Sequence, residues 1–190
     1  MSARQSMPGM LLLGSAGRNS GKTELACSLI ERLKSICDIT GVKVTTVHER
    51  NSPCPRGGQG CGACSSFAGN YCITEEDSKT SGKDTTRMLA SGAKTVYWVR
   101  AHSEHLTGAT AELFGMLGPG AITIAESNSL SSIVEPGLFL MIRDAGAEAY
   151  KRSASKVLRF VDRMVLSDGE RFDLDLDCIT LDRGKWVLRT

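Results

Sequence analysis

A short apolar segment, residues 10–13, runs directly into a glycine-rich stretch and then into a helical pattern. The stretch reads Ala16-Gly-Arg-Asn-Ser-Gly-Lys-Thr23, and after it leucine and isoleucine recur at helical spacing, which predicts a helix over residues 21–36. A strand, a glycine turn and a helix in immediate succession form the opening of a βα unit. This feature restricts the chain to folds in which helices pack on a largely parallel sheet.

Strands and helices continue to alternate along the rest of the chain. Apolar runs predict strands over residues 39–47, 95–100, 121–125, 137–142 and 163–166, and helical spacing predicts helices over residues 84–91, 107–117 and 148–160. The tail predicts a small hairpin of residues 178–181 and 185–188. The expected fold class is therefore α/β, a three-layer α/β/α arrangement with right-handed βαβ units and a mostly parallel sheet.

Length and composition limit the partners and the number of domains. The 190 residues suffice for one core, so we expect a single domain over residues 1–190. The net charge is only +2 and the basic residues are scattered, which argues against a nucleic-acid partner. The longest apolar run is far shorter than the ~20 residues of a membrane helix, and no apolar region of signal-peptide length precedes the glycine-rich stretch. A cytoplasmic protein without a membrane partner is the expectation.

The glycine-rich stretch matches the phosphate-binding loop pattern, with Ala16 at the first glycine position. Small residues let successive backbone N–H groups surround phosphate oxygens at a helix N-terminus, where the helix dipole also favours anions. Lys22 adds a charge for the β- and γ-phosphates, and the Thr23 hydroxyl completes a Mg²⁺ shell. The predicted nucleotide-binding residues are Ala16, Gly17, Arg18, Asn19, Ser20, Gly21, Lys22, Thr23 and Glu24.

Such a loop needs an acid near Mg²⁺, at the carboxyl end of a neighbouring strand. Glu126 closes the predicted strand 121–125, and Asp84 begins a predicted helix. We predict that one of them holds Mg²⁺ and the other orients water, so that Lys22, Asp84 and Glu126 are the catalytic candidates, with Thr23 and Glu126 at the metal. The alternatives are a solvated strand-end acid for Glu126 and a helix cap for Asp84.

Together with further motifs, the loop resembles that of a known family, the small phosphate-loop proteins of molybdopterin-guanine dinucleotide biosynthesis, called the MobB-like group. The resemblance covers residues 10–145 in order and depends on the loop itself, on Asp77 followed by Ser81-Gly-Lys-Asp-Thr-Thr-Arg87 and a Gly-Ala pair, and on Glu126 after an apolar strand. It implies a phosphate-loop NTPase fold and a nucleotide-binding protein, often GTP-preferring and dimeric, that assists a nucleotidyltransferase of molybdenum-cofactor biosynthesis. It also implies that Asp84 and Glu126 lie near the γ-phosphate and Mg²⁺.

Four of the seven cysteines fall in a glycine-rich region that we interpret as an insertion over residues 49–75. Cys54, Cys61, Cys64 and Cys72 have the spacing Cys-x6-Cys-x2-Cys-x7-Cys. Because the cytosol keeps thiols reduced, this pattern indicates a thiolate site for Zn²⁺ or a [4Fe–4S] cluster, with free or disulfide-bonded cysteines as the alternative.

The sequence therefore predicts a Mg²⁺-dependent NTPase, for GTP or ATP, that acts as an adaptor in molybdenum-cofactor or other metallocofactor assembly. Its partners would be a nucleoside triphosphate, a cofactor-biosynthesis protein and, in a homodimer, a second copy. A nucleotide-gated metal or iron–sulfur sensor without significant catalysis is the first alternative. A small-molecule kinase or ATP-dependent ligase is the second, since these enzymes share the sheet architecture.

Overall fold

A computed structural model of the protein describes residues 4–17, 20–47, 69–147 and 149–189. A seven-stranded sheet forms its centre, in the spatial order β3-β4-β2-β5-β1-β6-β7. The strands are β1 (Gln5–Ser15), β2 (Ile39–Val47), β3 (Tyr71–Glu75), β4 (Thr95–His102), β5 (Ile122–Glu126), β6 (Val134–Asp144) and β7 (Arg163–Ser167). All neighbouring strands pair in parallel except β3, which is antiparallel to β4. The predicted α/β class with a mostly parallel sheet is confirmed.

Helices pack on both faces of this sheet. They are α1 (Lys22–Leu33), α2 (Asp84–Ala90), α3 (Leu106–Leu117) and α4 (Arg152–Ser155). Central strand β1 supplies both cores, because Leu11 and Leu13 pack with α1 and α2 while Met10 and Leu12 pack with α3 and α4. All four side chains are fully buried, each contributing about 1.5–3 kcal/mol, which explains the uninterrupted apolar run of the sequence.

The predicted terminal hairpin is present as β8 (Ile179–Asp182) and β9 (Lys185–Leu188). Trp186 is its anchor, since the indole is fully buried and its Nε1 donates a hydrogen bond to the Gly9 carbonyl at 2.9 Å. Arg32 on α1 binds the same tail through an ion pair to Asp177 at 2.8 Å. The tail therefore fastens the amino end of β1 and the carboxyl end of α1.

Several predicted elements differ from the observed ones. Residues 71–75, placed by the sequence in a cysteine-rich insertion, form edge strand β3 of the main sheet. The helix predicted over residues 148–160 is reduced to the four residues of α4, because Lys151 before it is extended with ψ 149° and Leu158–Phe160 form a separate 3-10 turn. Helix α1 ends at Leu33 rather than at residue 36, and a turn follows.

In the ranges that the structure describes, no helix has the length and apolar character needed to cross a membrane.

Candidate functional site

The glycine-rich loop lies at the carboxyl edge of the sheet, between the end of β1 and the start of α1. Lys22 and Thr23 are the first two residues of α1, and both are half-buried. Gly21 precedes the helix with φ +83°, a left-handed conformation that favours glycine. Of the predicted nucleotide-binding residues, Arg18 and Asn19 lie outside the described residues. The strand, loop and helix thus follow one another as the sequence predicts.

Ala16 fits the position where the pattern has a glycine. Its backbone does not adopt a positive φ, so a β-carbon causes no strain there. Its N–H donates to the Ile142 carbonyl, and its carbonyl accepts from the Lys151 N–H, each at 2.8 Å. The Ala16 backbone therefore joins the loop to β6 and to the segment before α4, and the Ala16 N–H is already hydrogen-bonded within the protein.

Two residues that sequence reasoning missed hold the start of the loop. The Asn128 side chain accepts a hydrogen bond from the Ser15 N–H at 2.8 Å and donates one to the Ser15 carbonyl at 2.9 Å. The Lys151 Nζ atom donates to the Ser15 hydroxyl at 3.3 Å. Both contacts join segments more than a hundred residues apart, so local sequence patterns carry no signal for them.

An aromatic ring from the chain's tail packs against the end of the loop. A β-carbon placed at Gly21 would lie 3.2 and 3.3 Å from two ring carbons of Phe172 and 3.4 Å from the Ser167 hydroxyl. Ser167 ends β7, and Phe172 returns beside it in an antiparallel bridge. Gly21 is therefore required both by its backbone conformation and by the space that Phe172 occupies.

Three charged side chains meet next to this loop. Glu126 is the last residue of β5, and its register partners are Leu13 on β1 and Lys43 on β2. The Lys43 Nζ atom contacts the Asp84 carboxylate at the start of α2 and lies 3.5 Å from Glu126 Oε2. The structure thus brings together the two acids that the sequence singled out, and a lysine that it did not.

The Glu126 carboxylate has an unusual environment for an acid. The residue is 3% exposed, and while Oε2 faces Lys43, Oε1 has no hydrogen-bond partner among the described residues. An unpaired buried polar atom costs about 1–3 kcal/mol unless water, an ion or a ligand satisfies it. The alternative of a solvated strand-end acid is therefore wrong for Glu126.

Asp84 is more exposed, and a neighbouring acid sets its position. The Asp84 side chain is 41% exposed at the first residue of α2. One residue later, the Thr85 hydroxyl donates to Glu76 Oε2 at 2.6 Å, and the Ser78 N–H donates to Glu76 Oε1 at 3.1 Å. Burial by itself raises the pKa of Glu76, but these hydrogen bonds outweigh it and hold its pKa below the usual value. Glu76 thus anchors the start of α2.

Charged groups on α1 and α2 complete the surroundings of Glu126. Arg87 on α2 forms an ion pair with Glu24 on α1, both partly exposed. Glu24, predicted as a nucleotide-binding residue, is thus engaged in joining the two helices. The pKa of the Cys27 thiol on α1 is raised, mainly because the thiol is buried. A hydrogen bond with Ser91 and the charge of Arg87 lower this pKa, and the negative charges of Glu126 and Glu24 raise it further.

The hydroxyl and carboxylate groups here fit the chemistry of Mg²⁺. Mg²⁺ prefers hard oxygen ligands and is usually held by one or two carboxylates together with phosphate oxygens and water. Thr23 supplies a hydroxyl at the start of α1, and Glu126 supplies a buried oxygen with no other partner among the described residues. The residues present therefore suit a metal bound together with a nucleotide.

Of the four cysteines predicted as metal ligands, the structure describes one. Cys54, Cys61 and Cys64 lie outside the described residues. Cys72 lies on β3 as a half-buried free thiol, with Arg100 Nη2 of β4 at 3.5 Å from its sulfur. Within the described ranges, no three His, Cys, Asp or Glu residues form a group that could hold a metal ion. The cysteine site stays a prediction.

Side chains with polar groups lie side by side on neighbouring strands from the acids to Cys72, on the same sheet face. Lys43 is paired in register with Trp98 on β4, and the Trp98 Nε1 atom donates to the Thr45 hydroxyl at 3.0 Å. The Arg100 guanidinium lies 4.5 Å from the Trp98 ring centroid. Apolar side chains of the same strands, among them Val42, Val44 and Val99, pack on the opposite face.

No family model matches the chain, and no curated protein or solved structure matches it either.

Proposed function

We propose that the protein is a phosphate-loop NTPase that binds GTP or ATP with Mg²⁺ and hydrolyses it slowly. The observation that carries the proposal is the convergence of Asp84, Lys43 and Glu126 beside a strand–loop–helix unit of the phosphate-binding pattern. Phosphate loops act at the carboxyl edge of a parallel sheet, at a helix N-terminus. Here the loop follows β1 and Glu126 ends the adjacent strand β5, while Asp84 begins α2 and reaches Glu126 through Lys43.

The residues divide the work of phosphoryl transfer between them. The loop amides and Lys22 bind the phosphates and stabilise the charge that develops on the phosphoryl oxygens. Thr23 and Glu126 would hold Mg²⁺, which when bound neutralises phosphate charge. Asp84, more exposed than Glu126, orients the attacking water. Glu76 and the Glu24–Arg87 pair keep α2, and with it Asp84, in position.

Hydrolysis by matched lysine variants tests this assignment. We expect Lys22→Ala to lower GTP and ATP turnover at least a hundredfold, since oxyanion-stabilising groups contribute about that much or more. Lys94→Ala is the control, because Lys94 is exposed and pairs with Asp38 at the opposite edge of the sheet. Equal turnover in Lys22→Ala and in the unsubstituted protein, with both folded, would contradict the proposal.

The biological setting follows from the resemblance to the MobB-like group. We place the protein as a nucleotide-dependent adaptor in molybdenum-cofactor or other metallocofactor assembly, with a cofactor-biosynthesis protein as partner; the resemblance also implies that a homodimer is one form to test. The four cysteines would add Zn²⁺ or a [4Fe–4S] cluster. Metal and sulfide analysis of anaerobically purified protein distinguishes iron with acid-labile sulfide from one colourless zinc per chain.

A second candidate function is a nucleotide-gated metal or iron–sulfur sensor. It is favoured by the strand register that sets Glu126, Lys43 and Trp98 side by side, and by the contacts of Arg100 with Trp98 and with Cys72. If nucleotide state reaches the cysteine region by this route, a non-hydrolysable triphosphate changes the alkylation rate of Cys72. Cys37, a half-buried thiol beyond the end of α1, is the internal control. Equal Cys72 rates with and without nucleotide, measured by mass spectrometry, would argue against the sensor.

A further inference from the structure

Lys43 occupies the position between the two acids that a divalent cation would share. Its Nζ atom contacts Asp84 and lies 3.5 Å from Glu126 Oε2, and its side chain is 16% exposed. The lysine comes from β2, in register with Glu126, so the strand pairing itself places the ammonium there. A carboxylate-binding cation is thus built into the nucleotide-free protein.

Electrostatics explains why the acids need such a partner. Two carboxylates in one partly buried site repel each other, and a nearby positive charge reduces that repulsion. The Glu126 side chain is only 2% exposed, so water screens this repulsion weakly. Lys43 offsets this repulsion, since its ammonium faces both carboxylates.

Lys43 and a divalent metal ion compete for the same two carboxylates. An ammonium and a divalent ion cannot occupy one position between the same carboxylates, and the repulsion between them is strong at short range. Glu126 Oε1, buried and without a partner among the described residues, remains as a ligand atom. One oxygen of this kind is a poor site for a metal that needs several hard ligands.

We propose that Lys43 is a positioning residue that excludes divalent metal from the nucleotide-free protein and admits it only with a triphosphate. The bound phosphates attract the ammonium, and Asp84 and Glu126 are then released to the metal and to water. Lysine suits this role because its compact charge sits on a flexible four-carbon stem that can be directed to a new partner. The triphosphate step depends on the proposed function, whereas metal exclusion does not.

Titration of the nucleotide-free protein with Mn²⁺ by calorimetry tests the exclusion. We expect the unsubstituted protein and the control Lys94→Met to bind Mn²⁺ weakly, and Lys43→Met to bind it at least tenfold more tightly. Lys94 is the matched control because it also pairs with a carboxylate, Asp38, but at an exposed position. Adding Glu126→Gln to Lys43→Met should remove the gain, which shows that the new affinity belongs to this site.

A second variant protects the test against misfolding. Lys43→Gln keeps most of the stem, and it should also gain Mn²⁺ affinity, while Lys43→Arg keeps the charge and should not. Mn²⁺ should raise the Tm of the Lys43→Met or Lys43→Gln protein and leave that of the unsubstituted protein unchanged, because a ligand of the folded state stabilises it. Equal Mn²⁺ affinity in the unsubstituted protein and in the folded neutral variant overturns the inference.

A third titration separates this inference from the proposed function. With a non-hydrolysable triphosphate present, the unsubstituted protein should bind Mn²⁺ as tightly as the neutral variants do. If the triphosphate does not bind while Lys43→Met still gains Mn²⁺ affinity, the proposed function fails and the exclusion by Lys43 stands. If the triphosphate binds and the unsubstituted protein already holds Mn²⁺ without it, the proposed function survives and the inference about Lys43 is wrong.

Discussion

Two alanine substitutions within one loop should separate its structural glycine from its ligand-facing one. Gly21 has φ +83°, and a β-carbon there would lie 3.2 Å from the ring of Phe172. The left-handed conformation alone costs an L-residue about 1–2 kcal/mol, and the tight ring contact adds to it. We therefore expect Gly21→Ala to lower the free energy of unfolding by about 2 kcal/mol, or Tm by about 4–8 °C.

Gly17 in the same loop is the matched comparison. A β-carbon there would have no heavy atom of the described residues within 4 Å, and the φ of Gly17 is not positive. The unfolding free energy of Gly17→Ala should thus stay within about 0.5 kcal/mol of the unsubstituted value. The new methyl group would occupy space that the bound phosphates need, so nucleotide affinity should fall at least tenfold.

Urea denaturation and calorimetric nucleotide binding measure the two effects on the same samples. A double variant, Gly21→Ala with Phe172→Ala, should recover the part of the loss that comes from the ring contact and retain the part that comes from the backbone. A Gly21→Ala protein as stable as the original would refute the argument from φ and ring contact. Undiminished nucleotide binding in Gly17→Ala would refute the placement of phosphate on this loop.

Three further perturbations probe other parts of the structure. Trp186→Ala should lower the free energy of unfolding by about 3–5 kcal/mol in urea denaturation, because it empties a fully buried position; a loss below about 1 kcal/mol would contradict the tail's role in the core. Glu126→Gln should abolish Mg²⁺-dependent hydrolysis and leave Tm unchanged or higher, since it removes a buried charge; a large drop in Tm would instead indicate a structural acid. Because the pKa of Glu76 is lowered in the folded protein, the ionised carboxylate stabilises the fold above the unfolded-state pKa, and this stabilisation is lost as the pH falls through the folded-state pKa. Glu76→Gln should therefore make Tm fall less steeply as the pH is lowered, and an equally steep fall in the variant would refute this.

The main sheet was predictable because its signals are local. A central parallel strand is buried on both faces and therefore shows a continuous apolar run, as β1 does, and an amphipathic helix shows a period of 3.6 residues. Strand β3 has no such pattern, since all but one of its residues are half-buried at the edge of the sheet. The predicted length of helix α4 was wrong for another reason. The Lys151 N–H donates a hydrogen bond to the Ala16 carbonyl in the loop, so the chain before Arg152 is not helical.

The sequence predicted the two acids of the candidate site, Glu126 and Asp84, but it did not predict Lys43. Glu126 ends an apolar strand and Asp84 begins a helix, so each is marked by its local position. Lys43 lies inside an apolar strand, where it resembles an ordinary half-buried lysine, and only the parallel register of β2 and β5 reveals its role. Asn128 is invisible for the same reason, because its bonds to Ser15 depend on strand neighbours that are distant in sequence.

The most direct test of nucleotide binding is a calorimetric titration of the full chain with non-hydrolysable GTP and ATP analogues, with and without Mg²⁺. We expect one nucleotide per chain, tighter binding in the presence of Mg²⁺, and loss of binding in Lys22→Ala with Lys94→Ala unaffected. Absence of binding by both analogues to the folded protein would contradict the assignment of a phosphate-binding loop, and with it the proposed NTPase.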